Sequence, residues 1–298
     1  MNTLYRTRTF SEKFSLVFEW MRCEWKTVLK FVTLFLLPVS LLQGFGFSSM
    51  VNLSLADAFS GGYSPASMGA TNIAGMGLYY LCAIVGSLLV YGLTLFFVRR
   101  NMMDGQSNVG LTAGEALRGA MHFVPKLILM GLVMTVILVV AVGILSVLTL
   151  PSPWTLIVTL PVFTSFGVAL MPCLPNYTLT NEPLFSSIGH GLRLGYKCWW
   201  GFFSTSLVMG LLAMVIAGFA SIPLYIVIGV KAAFGSSFGA GSTGLMDFLS
   251  YLGGVLSTYA SFVLSILTVA ILCVQYGHAA DKCDGITAQK EVDEFPEF

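Results

Sequence analysis

Long apolar runs separated by short polar segments form the dominant pattern of this chain. A helix that crosses the hydrocarbon core of a bilayer needs roughly 20 consecutive, mostly apolar residues. Six stretches meet that length, and they lie at approximately 27–48, 76–98, 125–149, 154–174, 199–222 and 249–276. The pattern therefore predicts an all-α membrane protein with six transmembrane helices, built as a single polytopic membrane domain over residues 1–285.

Prolines and short connections refine these six spans. Pro38 lies inside the first span and Pro161 inside the fourth, and we expect each proline to kink its helix. Only residues 150–153 separate the third span from the fourth, which predicts a tight hairpin. The apolar segment 223–234 begins at Pro223. The sequence leaves two placements open for this segment: a continuation of the fifth helix, or a re-entrant piece on the outer face.

Positive charge is distributed unevenly between the two sides of the predicted bundle. Of the 15 Lys and Arg residues, 14 precede or open the first span, follow the last span, or lie in the loops after the second and fourth spans. Only Lys231 falls on the other side. Loops rich in Lys and Arg stay in the cytoplasm, so we expect both termini to be cytoplasmic. The opposite loops, 49–75 and 232–246, are rich in Gly, Ser and Ala and predict flexible connectors.

An amphipathic segment precedes each odd-numbered span. In the first, residues 9–25, apolar side chains recur at helical spacing and polar side chains fill the opposite stripe. The apolar stripe comprises Phe10, Phe14, Val17, Phe18, Met21 and Trp25, and the polar stripe comprises Glu12, Ser15, Glu19, Arg22 and Lys26. Thr9 and Glu12 have the spacing of a capping box, which predicts that the helix begins there.

The second and third amphipathic segments share this design. Residues 112–123 begin with capping-box spacing at Thr112 and Glu115, and they carry Arg118 and His122 on one face. Residues 182–197 have a polar stripe facing an apolar one. The polar stripe comprises Ser186, His190, Arg193 and Lys197, and the apolar stripe comprises Leu184, Ile188, Leu192 and Trp199. Each pair of spans is thus introduced by a charged helix.

Basic amphipathic helices flanked by aromatic residues lie in the plane of the membrane interface, with the apolar side down. The predicted architecture is therefore three transmembrane hairpins, each preceded by a cytoplasmic interfacial amphipathic helix. The alternative is that these segments are ordinary helical connectors packed on the bundle. The side chains expected to contact lipid headgroups or a partner are Arg22, Lys26, Arg118, His122, His190, Arg193 and Lys197.

Small residues recur every four positions along the last two spans. The positions are Ala213, Ala217 and Ser221 on the fifth span, and Gly253, Ser257, Ser261 and Ser265 on the sixth. Small side chains at this spacing let helices approach closely, so we expect these positions to mediate helix packing. The alternative is that the serine row lines a polar pore.

Composition limits the function classes. Hydrophobic residues make up 56% of the chain and charged residues 10%, against roughly 25% charged residues in soluble domains. A water-facing surface over the whole chain is therefore excluded. No ionisable residue lies deep inside a predicted span, where a charge costs about 2.5–3.5 kcal/mol and usually has a function. This argues against transport through a charged relay, but it leaves open a facilitator that uses hydroxyl or backbone groups.

Residues that could bind a metal or carry out a reaction are scattered. The six Cys residues show no Cys-x-x-Cys spacing, and His122, His190 and His278 each lack a second ligand at suitable spacing. We therefore expect no catalytic, cofactor-binding or metal site, and no nucleic-acid partner. Residues 286–298 form an acidic tail, which we expect to be solvated in the cytoplasm, with recruitment of a basic partner as the alternative.

The region around the fifth predicted span resembles a known family. Leu179-Thr180-Asn181-Glu182 leads into Ser186, Leu192 and Leu194, and Tyr196-Lys197-Cys198-Trp199-Trp200-Gly201-Phe202-Phe203 then opens the span. This pattern resembles a broad bacterial group of inner-membrane proteins. The group includes the membrane domain found beside glycerophosphoryl diester phosphodiesterases, the YciC-like proteins and uncharacterised relatives in Bacteroidota.

Both ends of the chain resemble the same group. The segment from Phe14 to Pro38 is similar to its opening amphipathic helix and Pro-containing span. Val274-Gln275-Tyr276, followed by residues 281–286, is similar to the exit from its final span, although Gly277-His278-Ala279-Ala280 replaces the usual Leu and Glu. The resemblance implies a six-helix protein of the bacterial cytoplasmic (inner) membrane. This sequence contains no phosphodiesterase domain, so that activity does not transfer.

Two functions are consistent with these patterns. We expect a non-enzymatic inner-membrane protein, a scaffold or accessory factor that acts on membrane lipids or on a cytoplasmic or membrane protein partner. The three basic amphipathic stripes favour this interpretation. The alternative is a small-molecule or lipid transporter or channel, suggested by the two kinked spans, the serine row and segment 223–234. A continuous hydrated cavity between spans would distinguish the alternative from a solidly packed bundle.

Overall fold

The computed structural model describes residues 4–60, 70–149, 153–180, 182–234 and 240–287, and within these residues the regular structure is entirely helical. The α-helices are α1 (Phe10–Ser60), α2 (Ala70–Val98), α3 (Ala113–Thr149), α4 (Leu156–Leu170), α5 (Cys173–Leu179), α6 (Leu184–Lys197), α7 (Trp199–Phe234) and α8 (Ala240–Asp284). A π-helical turn, Arg99–Met103, extends α2, and a 3₁₀ turn, Pro153–Thr155, precedes α4.

Six helical stretches of the described chain are long and apolar enough to cross a membrane. They are Phe10–Val51, Ile73–Met103, Ala113–Leu148, Ile157–Leu179, Trp199–Ala233 and Gly244–Asp284. Each contains or overlaps one of the predicted spans. The prediction of an all-helical, multi-pass membrane protein is confirmed at this level.

The first two amphipathic segments are continuous with the spans that follow them. Segment 9–25 and the first span both belong to α1, and segment 112–123 joins the third span within α3, which continues through Pro125. Both helices begin where the capping boxes predicted. The backbone N–H of Thr9 donates to the Glu12 carboxylate (3.0 Å), and that of Thr112 donates to Glu115 (2.9 Å).

The third amphipathic segment is a separate helix. α6 ends at Cys198, whose backbone (φ −111°, ψ 29°) leaves the helical region, and α7 begins at the next residue. Helix α7 then runs without interruption through Pro223 to Phe234. The open question about segment 223–234 is thereby answered, because this segment continues the fifth helix.

The expectation of flexible connectors at 49–75 and 232–246 is wrong for much of their length. Helix α1 extends to Ser60 and α8 begins at Ala240. Residues 50–60 contain Met, Leu and Ala, which favour helix strongly enough to continue it beyond the apolar run. Residues 61–69 and 235–239 lie outside the described part, as does the predicted acidic tail beyond Thr287.

The chain divides into two compact units. Unit 1 comprises residues 1–27, 91–210 and 267–298, and unit 2 comprises residues 28–90 and 211–266. All but two of the 15 Lys and Arg residues, Lys30 and Lys231, belong to unit 1. The charged chemistry of the protein is therefore concentrated in unit 1.

The last third of α8 forms the centre of unit 1. From Val269 to Ala280 nearly every side chain is buried, including Gln275 and Tyr276. Residues 4–9 lie against this part of the helix. The carbonyl of Leu4 approaches Gly277 so closely that no side chain would fit there, and the backbone N–H of Arg8 donates to His278 Nδ1 (3.0 Å).

Close helix approaches hold unit 2 together. Gly46 of α1 lies against the backbone of Gly75 and Tyr79 in α2. The Phe262 ring of α8 occupies the space beside Gly86 of α2. A hydroxyl pair joins α1 to α8, since Thr33 Oγ1 and Tyr259 Oη lie 2.6 Å apart. Small residues thus allow contact between backbones in an otherwise apolar unit.

Candidate functional site

Exposed basic side chains on unit 1 are the first candidate for function. Arg22 and Lys26 are exposed on α1, Arg118 is exposed on α3, and Lys197 is exposed at the end of α6. His122 is also exposed, one turn after Arg118. Together with Arg193, six of the seven predicted headgroup or partner contacts are exposed on the protein surface, and His190 is half-buried.

Large aromatic side chains lie exposed beside two of these lysines. Trp25, which precedes Lys26, is 49% exposed. Tyr196 precedes Lys197 and is 56% exposed, and Trp200 at the start of α7 is 74% exposed. Trp and Tyr next to Lys are typical of residues at the boundary between lipid headgroups and hydrocarbon. We call these two groups the aromatic–basic pairs: Trp25 with Lys26, and Tyr196 and Trp200 with Lys197. A membrane interface would meet the protein at these side chains.

Two of the seven predicted contacts, His190 and Arg193, pair with carboxylates of the protein itself. His190 Nε2 lies 2.8 Å from Asp284 Oδ2, and the Arg193 guanidinium lies 3.5 Å from Asp284 Oδ1. His190 Nδ1 lies 3.7 Å from Glu182. This cluster joins α6 to the end of α8 within unit 1, so both side chains already contact a carboxylate of the protein.

A buried carboxylate on α1 is a feature that sequence reasoning missed. Glu24 is 4% exposed and accepts hydrogen bonds from Asn101 Nδ2 (2.9 Å), from the backbone N–H of Asn108 (3.0 Å) and from Asn108 Nδ2. It fixes the loop that follows the π-helical turn. The burial of Glu24 could have been predicted from its helical spacing to Lys13, Val17 and Trp20. These three side chains are buried on the same stripe of α1.

The face of α1 that packs on the protein is therefore not the predicted apolar stripe. Val17 is buried, but Phe10, Phe18 and Trp25 are exposed by 42–49%. The buried Lys13 Nζ donates to Gln275 Oε1 (2.8 Å) in α8. Exposed aromatic side chains on this helix are consistent with contact to lipid, whereas its buried polar side chains contact the rest of unit 1.

A second buried polar network joins α5, α6 and α8. The Tyr276 hydroxyl donates to Asn176 Oδ1 (2.7 Å), and Asn176 Nδ2 donates to the carbonyl (2.9 Å) and hydroxyl (3.0 Å) of Ser187. All three side chains are buried. Burial also raises the pKa of the Tyr5 phenol, whose ring lies against Tyr276, and lowers the pKa of the Arg8 guanidinium. The N-terminal segment is thus an integrated part of unit 1.

Three members of the predicted small-residue rows, Ser221, Gly253 and Ser257, contact the neighbouring helix in unit 2. The Ser221 and Ser257 hydroxyls are 2.8 Å apart, and a Cβ on Gly253 would lie 3.0 Å from Leu224. Ser261 and Ser265 donate to the carbonyls four residues earlier in α8. Ala213 and Ala217 are half-buried on α7. The Ser257 hydroxyl therefore bonds to the neighbouring helix, whereas those of Ser261 and Ser265 bond to the backbone of their own helix.

Comparisons with protein-family models, with curated proteins and with solved structures find no match to this chain. Within the described residues, no group of three or more His, Cys, Asp or Glu side chains is placed to hold a metal ion. The geometry of the surface thus remains the basis for a functional proposal.

Proposed function

We propose that this chain is a multi-pass protein of a bacterial inner membrane, with both termini in the cytoplasm. It acts without a catalytic step, as a scaffold or accessory factor that contacts membrane lipids or a protein partner through unit 1. Its six long helices form three hairpins, and the charged segments before them lie at the cytoplasmic interface.

The exposed aromatic–basic pairs carry this proposal. Trp25 with Lys26 presents an amphipathic ring beside a cation on a helix of membrane length. Tyr196 with Lys197 does so at the end of α6, directly before the membrane-length helix that carries Trp200. Such side chains anchor proteins at headgroup depth, and each lysine near an anionic leaflet contributes about 1 kcal/mol of attraction. The separation of α6 from α7 and its strong amphipathicity, greater than that of any of the longer helices, also favour interfacial placement.

The resemblance of residues 179–203 and of both chain ends to six-helix inner-membrane proteins supports the same proposal. The transporter alternative rested on the two kinked spans, the serine row and segment 223–234. Of these, segment 223–234 continues α7, and the serine hydroxyls bond within α8 and to α7.

Native mass spectrometry of the detergent-solubilised protein tests the proposal. We expect the protein to retain phosphatidylglycerol in preference to phosphatidylcholine, or to co-purify with a defined protein. Substituting both lysines, K26Q with K197Q, should weaken retention of phosphatidylglycerol by about tenfold, since two headgroup contacts are lost. A monomer that is indifferent to lipid and carries no partner would contradict the proposal.

A further inference from the structure

A cavity of about 290 Å³ opens in unit 1 where α2 ends and α3 begins. Arg99 and Arg100 of the π-helical turn line it together with His122 of α3, and Asp104 contributes a single carboxylate. The rings of Phe96 and Phe123 form its apolar side. Within the described part of the chain, no salt bridge within 4.0 Å joins these three basic residues to a carboxylate.

We propose that this cavity binds the phosphate group of an anionic phospholipid headgroup. The inference deepens the function proposed above and rests on it, because that function places unit 1 at the membrane interface. It goes further by naming the ligand and by assigning a site to Arg99 and Arg100, which the sequence patterns did not single out, together with His122, which they did.

Two adjacent arginines of the π-helical turn, Arg99 and Arg100, both line the cavity. The turn closes its hydrogen bond over five residues instead of four. The bond from the backbone N–H of Asp104 to the carbonyl of Arg99 (3.0 Å) has this spacing. The end of α2 therefore contributes two guanidinium-bearing residues to one site.

The loop beyond this turn is fixed before any ligand arrives. The backbone N–H of Gln106 donates to the Arg100 carbonyl (2.9 Å), and Arg100 Nε donates to the carbonyl of Ser107 (3.3 Å). Glu24 holds both Asn101 and Asn108 from the opposite side. A preordered site loses less conformational entropy on binding, which favours a specific ligand over diffuse attraction.

Glycines set the distance between the two walls of the cavity. A Cβ on Gly92 would lie 2.9 Å from the carbonyl oxygen of Ala120, and a Cβ on Gly119 would overlap the Phe96 ring. Since only glycine permits these approaches, α2 and α3 come close enough for His122 and the two arginines to face one space. A larger residue would separate the walls or fill the cavity.

Charge and shape both favour a phosphate. Two guanidinium groups provide planar sets of N–H donors that match phosphate oxygens, and His122 adds another donor. One carboxylate, Asp104, leaves the cavity with a net positive charge. The volume of about 290 Å³ lies at the lower end for small-molecule pockets, which suits a headgroup. The Phe96 and Phe123 rings provide an apolar wall for the glycerol and the first methylenes of a lipid.

A lipid is a better match than soluble phosphate because of where the cavity lies. It is formed at the end of α2 and in the first turns of α3, and both helices belong to stretches of membrane length. The side chains next to it on α3, Leu117 and Met121, are 37% and 50% exposed and apolar. A lipid can therefore place its phosphate in the cavity while its chains follow the outer surface of α3.

The test measures dissociation constants for phosphatidylglycerol by native mass spectrometry, with diacylglycerol as a lipid that lacks phosphate. The double variant R99Q/R100Q should bind phosphatidylglycerol at least about tenfold more weakly, because it loses charge-assisted hydrogen bonds to the phosphate. The matched control R6Q/K282Q removes the same charge from two exposed residues of unit 1 outside the cavity, and its affinity should change less than about twofold. The weak binding of diacylglycerol should be the same in all three proteins.

A second variant distinguishes the loss of a ligand contact from a folding defect. Because His122 is exposed, H122A should keep the native thermal unfolding temperature. It should weaken phosphatidylglycerol binding about threefold, because the phosphate loses one hydrogen-bond donor. Unchanged affinity in both H122A and R99Q/R100Q would overturn the site.

The remaining outcomes separate this site from the general function. Equal losses in R99Q/R100Q and R6Q/K282Q would overturn the cavity while leaving the proposed function intact. Competition by inorganic phosphate at concentrations near the lipid's own dissociation constant would overturn the lipid as the ligand. Wild-type protein that retains no lipid and no partner would instead overturn the proposed function itself.

Discussion

Glu24 shows how one residue in this protein can determine the shape of a loop. Its carboxylate is buried, and at least three N–H donors from Asn101 and Asn108 point at it. Charge-assisted hydrogen bonds of this kind contribute about 1.5–3 kcal/mol each, and donors left unsatisfied by deletion of the acceptor carry their full desolvation penalty. The residue therefore acts far beyond its own helix.

We expect E24A to lower the thermal unfolding temperature in detergent by about 2–4 °C, since a loss of 1–2 kcal/mol shifts a protein of this size by roughly that amount. The matched control is E19A, because Glu19 is an exposed glutamate on the same helix. Its unfolding temperature should change by less than about 1 °C. Equal shifts for the two variants would show that the network around Glu24 contributes nothing specific.

Two cysteines from distant parts of the chain lie within reach of each other. Cys198 Sγ and Cys283 Sγ are 3.6 Å apart, and both are free thiols. A disulfide needs a separation of about 2.05 Å, which small side-chain rotations can supply.

Oxidation with diamide should therefore join Cys198 to Cys283 within one chain and lower the thiol titre by two. Mass spectrometry of peptides from the oxidised protein will identify the link. C198S should abolish it, whereas C173S should not, because the Cys173 thiol lies 3.6 Å from the carbonyl of Ile188 and takes no part in the Cys198–Cys283 contact. A persistent two-thiol loss in C198S would refute the pairing.

At the scale of helices, the sequence predicted membrane-length elements well and their ends less well. The capping spacings at Thr9 and Thr112 marked the starts of α1 and α3, since such boxes are local in sequence. The sequence did not show that the amphipathic segment and the following span form one continuous helix in α1 and in α3. Pro125 opens the predicted third span, but α3 continues through it, because a proline inside a membrane-length helix removes one backbone bond and is tolerated there.

Helix packing depends on which glycines meet a neighbour, and a single pair of substitutions can test this. A Cβ on Gly46 would lie 2.8 Å from the backbone nitrogen of Tyr79, whereas nothing lies within 4 Å of a Cβ on Gly77. G46A should therefore destabilise the protein by about 1–3 kcal/mol, because α1 and α2 must separate. G77A should be neutral or stabilise it by up to about 1 kcal/mol, as alanine favours helix.

Chemical denaturation in mixed micelles, followed by circular dichroism, measures both changes. Similar effects of G46A and G77A would mean that the α1–α2 approach does not limit stability. The comparison is informative because both glycines lie in membrane-length helices of unit 2 and undergo the same change.

At the scale of the molecule, the two units differ in how many basic residues they contain. Unit 1 has nearly all the Lys and Arg, while the basic residues of unit 2 are Lys30 and Lys231. Lys231 lies 2.7 Å from Asp247, so its charge is paired. In the proposed orientation, with both termini in the cytoplasm, unit 1 includes the cytoplasmic ends of the helices.

A sidedness experiment checks this orientation. Cys23 is exposed, so a membrane-impermeant maleimide should label it in inverted vesicles and leave it unlabelled in spheroplasts. A second site, L245C in a C23S background, uses an exposed position near the start of α8 and should show the opposite result. Labelling of Cys23 in spheroplasts would contradict cytoplasmic placement of the N-terminal segment.

Taken by itself, the sequence determined the class of this protein, its six membrane-length apolar runs and the asymmetry of its positive charge. These are local properties, because run length and the number of Lys and Arg in a loop do not depend on distant partners. It also identified six basic side chains that the structure leaves exposed.

Tertiary structure decided the buried polar chemistry. Glu24 meets Asn101 and Asn108 from 77 and 84 residues away, Cys198 meets Cys283 from 85, and Tyr276 meets Asn176 from 100. No pattern along the chain pairs residues at such separations, since folding selects the partners. The cavity beside Arg99 and Arg100 has the same origin, because its two walls come from different helices and only their packing brings the three basic side chains around one space.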